Sequence, residues 1–150
     1  MYKVAKILVP VDFSNCSRSA LNHALSLGAQ LGSTLHVLHV TEVPEFKKEP
    51  RIASERTTLS LREYAVGEAQ LELDAFLDSV AREERSKLTA SVEVGSPRGC
   101  ILEQAKRGGY DLIVMGTHGR TGRVHSLAGS VAESVVRLAP CPVLTVRDAS

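Results

Sequence analysis

The chain has 150 residues, enough for one domain that buries its own core without disulfide or metal support. Hydrophobic residues make up 43% and charged residues 23%, with a formal net charge of +1 at pH 7. That balance speaks against a nucleic-acid binder, which needs a strongly basic face, and no stretch nears the roughly 18 apolar residues of a membrane span.

The opening MYKVAKILVPVDFS lacks the apolar core and cleavage site of a secretory signal, so the expected location is the cytoplasm. Within it KILVPVD, residues 6–12, begins with an apolar run too short for a helix, of the kind that forms a strand buried on both faces. Ser14 predicts the N-cap of a helix over about 15–31, with Ala20, Leu21, Ala24, Leu25 and Gly28 at helical spacing. LHVLHV then marks a second strand over about 34–41. His36 and His39 lie three apart on it and point to opposite faces, so they make no simple metal pair.

Residues 42–58 carry two prolines, many charges and no periodicity, and read as an exposed, variable loop. A long helix over about 59–86 follows, then LTASVEV as a third strand. Ser96 and Pro97 supply a cap and a first-turn proline for a helix reaching about residue 106. DLIVM is the fourth strand, about 130–138 the last helix, and PVLTV, residues 142–146, the final strand. Strands alternating with helices predict an α/β fold: a doubly wound parallel sheet of five strands, helices on both faces and right-handed crossovers. Cys16, Cys100 and Cys141 are widely spaced and odd in number, and read as reduced packing thiols.

Four of the chain's 11 glycines fall in GTHGRTGRVHSLAGS, residues 116–130, between the fourth strand and the last helix. If the strand order is 3-2-1-4-5, the order reverses between strands one and four, and open parallel sheets bind ligands at that point. Asp12 and this loop then share one crevice at a helix N-terminus, where exposed N–H groups suit phosphate. The glycines let backbone approach phosphate oxygens. The spacing is neither that of a Walker loop, which needs a lysine, nor that of a dinucleotide fingerprint after strand one. It is G-x2-G-x9-G-S: Gly116, Gly119, Gly129 and Ser130. Arg120 and Arg123 sit where phosphate charge would arrive. His118 and His125 read as loop residues without an acid–base role.

Over nearly its whole length the chain resembles the universal stress protein family, in its ATP-binding branch. ILVPVDFS is similar to that family's first strand and aspartate, and DLIVMGTHGRTG with GSVAESVVRLAPCPVLTVR to its carboxyl-terminal half. The resemblance implies bound ATP, accompanied by Mg²⁺. It assigns the phosphate and ribose motif to Gly116, Gly119, Gly129 and Ser130, with His118 and Arg120 beside them. Asp12 is implied on the nucleoside side and the Val40 backbone against adenine, with Pro10, Val11, Met115 and Val131 lining the pocket. It also implies a homodimer through the final strand and a regulatory role in stress response, read by protein partners; little or no ATP turnover is expected because the chain has no Walker lysine and no acidic pair for two metals. RVHSLA is more polar than the family's usual segment there.

Two alternatives share the fold: a slow ATPase or autophosphorylating enzyme, and a nucleotide-free protein-interaction module. A nucleotidyl transferase should show an H-x-G-H or S-G-G-x-D-S signature, and the chain has neither. A phosphoacceptor domain should show clustered acids, and VPVD offers one.

Overall fold

The alternation of apolar residues decides which side of the sheet each helix covers. The computed structural model describes residues 1–46, 48, 50–53, 58–118 and 130–148. Five parallel strands form the main sheet: β1 (Lys6–Val11), β2 (Thr34–Thr41), β5 (Leu88–Val94), β6 (Leu112–Gly116) and β7 (Val143–Val146). Their spatial order is β5-β2-β1-β6-β7, which counts as 3-2-1-4-5 in chain order, as predicted. Successive side chains of a strand point to opposite faces. Ile7, Val9 and Val11 therefore pack with Leu21, Ala24, Leu73 and Phe76, under α1 (Asn15–Leu31) and α2 (Leu61–Leu77). Leu8, Leu38, Ile113 and Met115 pack on the other face with Ile101, Ala105 and Val135, under α4 (Pro97–Gly108) and α5 (Val131–Leu138).

α1 starts where the sequence places it: Ser14 Oγ accepts the Ser17 N–H at 3.1 Å. It ends at Gly32, whose φ of 69° closes the helix in the left-handed region. Gly28 lets the helix sit close to the sheet, because a Cβ there would stand 2.5 Å from Leu35 Cδ1.

Two predicted elements need correction. The segment over 42–58 is not loop throughout. β3 (Arg51–Ala53) pairs antiparallel with β4 (Thr58–Ser60), in the register Arg51↔Ser60 to Ala53↔Thr58. This small ribbon also takes the first two residues of the predicted 59–86 helix. α2 begins only after Ser60, which forms a capping box with Glu63. It stops at Leu77, and a one-turn helix α3 (Arg82–Arg85) follows separately. Length explains the stop. α1 and α2 both have 17 residues, about 25 Å of helix, and the eight residues of β2 span about 26 Å. A helix over 59–86 would run about 42 Å and overshoot the sheet. Val80 instead turns back onto the core beside Leu77, and Arg85 Nη1 donates to the Leu77 carbonyl at 3.1 Å.

Candidate functional site

The carboxyl ends of β1, β2 and β6 open into a cavity of about 420 Å³, closed at its sides by the N-terminal turns of α4 and α5. This is the point where the strand order reverses. Pro10, Val40 and Met115 reach it because they fall in step with Leu8, Leu38 and Ile113 on the α4/α5 face of the sheet. Val11, Asp12, Gly116, His118, Ser130 and Val131 complete the sequence-predicted residues on its wall. Gly119, Arg120 and Gly129, together with Arg123 and His125, lie outside the described residues.

Asp12 sits at the mouth of β1, where its Oδ1 accepts the Ser14 N–H at 3.0 Å. That bond folds the chain into the turn from which Ser14 caps α1. Ser130 both lines the cavity and caps α5, with Oγ accepting the Glu133 N–H at 3.1 Å. The free N–H groups of α5's first turn make that end of the cavity electropositive. Thr117 and His118 share a hydrogen bond of 2.9 Å between Oγ1 and Nδ1, and His118 is exposed.

Gly116 has a packing reason that the loop's spacing does not reveal. A Cβ there would meet the Cys16 carbonyl carbon at 3.0 Å and oxygen at 3.1 Å, so the bare backbone lets β6 pass against α1. Cys16 itself donates from Sγ to the Val146 carbonyl at 3.1 Å, which ties the ends of α1 and β7 together below the site.

Sequence reasoning missed part of the wall. Leu38 and Glu42 lie on β2 and just beyond it, each two residues from Val40, and Ser17 comes from α1. Pro97 and Ile101 come from the start of α4. Val40 came from the family resemblance; a period of two counted from it also selects Leu38 and Glu42. No local signal places the start of α4 in the same crevice, since that follows from the crossover between β5 and β6. The described titratable groups of the wall are Asp12, Glu42 and His118, with both carboxylates toward β1 and β2 and the start of α5 at the opposite end.

A doubly wound sheet with a cavity at its switch point, carboxylates toward β1 and β2 and a capped helix N-terminus at the opposite end is the arrangement at which open α/β sheets bind small molecules. The family model of the universal stress protein family matches residues 3–147, and the chain belongs to that family. The chain is similar to universal stress protein MJ0531 of Methanocaldococcus jannaschii, at 35% identity over 147 residues, covering 98% of this chain and 83% of that one. Universal stress protein UspA from Lactobacillus plantarum has the same fold, with a TM-score of 0.76 at 25% identity, over 97% of this chain and 99% of that one. So does a universal stress protein family protein of Arabidopsis thaliana with AMP bound, with a TM-score of 0.67 at 22% identity, over 97% and 93% of the two chains.

Proposed function

We propose that the chain, acting as one domain, binds ATP in this cavity and works in the cytoplasm as a regulatory homodimer whose state follows nucleotide occupancy, with little or no turnover. The cavity carries the reading. Its volume of about 420 Å³ lies within the usual range for small-molecule sites, about 300–1,000 Å³. Leu38 and Val40 of β2 and Ile101 of α4 give it an apolar wall, and at α5 it opens onto helix N–H groups. The base lies between Val40, Leu38 and Ile101, Asp12 meets the ribose, and the phosphates point toward Ser130 and the start of α5. The family resemblance assigns Gly119, Gly129 and Arg120 to the phosphates, with Mg²⁺ accompanying them. Pro10, Val11, Met115, Gly116, His118 and Val131 complete the lining. A relative of the same fold takes an adenine nucleotide, AMP; the extension to this chain rests on its own residues.

The nucleotide content of freshly purified protein, read by chromatography after denaturation, tests the reading first. ATP at about a hundredfold over its Kd stabilises a protein by about 2.7 kcal/mol. For a domain of this size that is a rise in Tm of roughly 5–10 °C. Gly129→Val should lose most of the rise and Ser130→Ala part of it, each measured against its own apo baseline. A full shift in a normally folded Gly129→Val overturns the phosphate role of the loop.

A further inference from the structure

Phe13 is the one non-glycine residue with a positive φ, 66°, among the described residues. An L side chain rarely adopts that backbone, because Cβ crowds the following carbonyl. Its ring stacks on His39, centroids 4.2 Å apart and planes at 27°, and tilts against Phe76 at 5.5 Å. Arg18 covers the Phe76 ring at 3.7 Å and is held there by Nη1 donating to Ser79 Oγ at 2.8 Å. His39 Nδ1 donates to the Val11 carbonyl at 2.8 Å; a carbonyl only accepts, so this nitrogen carries the proton. Both residues before Phe13 are thus fixed from outside the cavity. His39 holds Val11, and the Ser14 N–H holds the Asp12 carboxylate. Val11 and Asp12 form the cavity wall, whereas the Phe13 ring packs with the core under α1 and α2.

We propose that Phe13 is a positioning residue for the ligand: its stack between His39 and Phe76 holds a left-handed turn, and that turn aims Asp12 into the cavity. The inference rests on the nucleotide reading above, in which Asp12 meets the ribose. The ring's contacts offset the cost of the left-handed backbone, and without them φ relaxes to a negative value. That relaxation rotates the peptide planes around residue 13 and swings the Asp12 carboxylate off its line. Glycine at the same place keeps the turn without the ring, since it adopts positive φ freely. The two losses are therefore separable.

The experiment measures binding of ATP, 2′-deoxy-ATP and 3′-deoxy-ATP by calorimetry, with the apo Tm of each variant alongside. Wild type should prefer ATP to at least one deoxy analogue by about tenfold, the worth of a hydrogen bond to a charged group. Phe13→Ala should lose most of that preference through weaker ATP binding, with the disfavoured analogue bound almost as before. Phe13→Gly should keep the larger part of it. Should Phe13→Ala fail to fold, Phe76→Leu, which loosens the stack from the α2 side, is measured in the same way and should narrow the preference. A folded Phe13→Ala or Phe76→Leu that only lowers Tm and keeps the wild-type preference overturns the proposal. Wild type that binds all three nucleotides equally removes the Asp12 contact and the proposal with it. Wild type that binds none of them removes the nucleotide reading itself.

Discussion

Glu42 stands on the cavity wall just beyond β2, at the end opposite the start of α5. Its carboxylate adds negative charge to a site proposed for a polyanion. Two unit charges about 8 Å apart repel by about 0.5 kcal/mol in water, and salt screens that repulsion. Glu42→Gln should therefore tighten ATP binding about twofold at low salt, with the gain fading at roughly 0.5 M salt, in a titration at both ionic strengths. Weaker binding in the variant would instead make Glu42 a direct ligand contact. The residue also shows where sequence reading stops. Pro10, Val40 and Met115 were legible through the family resemblance, and the alternation of their strands then turns them to the cavity face. Glu42 obeys the same period but lies in a segment whose prolines and charges read as exposed loop. Gly116 was legible as a close approach, yet the described neighbour it approaches is Cys16, and a glycine does not announce which backbone it lets near.

The edge strand β5 is tied to β2 through a histidine. His36 bonds Thr89 Oγ1 through Nδ1 at 2.7 Å and Ser91 Oγ through Nε2 at 2.8 Å, with the Tyr110 ring 6.2 Å away. Burial pushes its pKa below the ordinary value; Glu93 pulls the other way, and Lys6 adds to the lowering. The folded protein thus holds fewer protons at this site than the unfolded chain, whose histidine titrates near 6.5. The contribution is complete above about pH 6.5 and is lost as pH falls from there toward the folded pKa. His36→Gln keeps groups able to bridge the hydroxyls and removes the titration. Its Tm should fall less than the wild-type Tm between pH 7.5 and 5.5 in parallel melting curves; equal slopes would clear His36 of any part in the pH response. Elements such as β2 were legible as soon as apolar residues ran together. The end of α2 was not, because the apolar stripe continues through Val80 and only the depth of the sheet stops the helix. β3 and β4 escaped for a related reason: three residues on each side are too few for a period to show.

At the scale of the whole molecule the two sheet edges differ. β5 presents Thr89, Ser91 and Glu93 along one face, and β7 is a short apolar strand, VLTV, with Leu144 38% exposed. On α5, which packs against β7, Val136 and Leu138 are exposed as well. An apolar edge with unpaired N–H and C=O groups favours pairing with another strand, and a twofold axis would set β7 antiparallel to its copy. Leu144→Lys would bring two like charges together across that axis. Sedimentation at about 20 µM should give a dimer for wild type, and the variant's dimer Kd should rise at least about tenfold. Leu144 is not among the residues lining the cavity, so the variant should still show the ATP-induced rise in Tm, which also reports that it folds. In the proposed dimer α5 would link the two properties, since its first turn lines the cavity and its body packs against β7. A ligand that fixes the start of a rigid eight-residue helix biases where its far end sits, and linkage requires the converse. ATP should therefore change the dimer Kd of wild type, and dimerisation should change ATP affinity by the same factor. A wild type that stays monomeric at this concentration ends the dimer proposal, and a dimer indifferent to ATP ends the coupling alone.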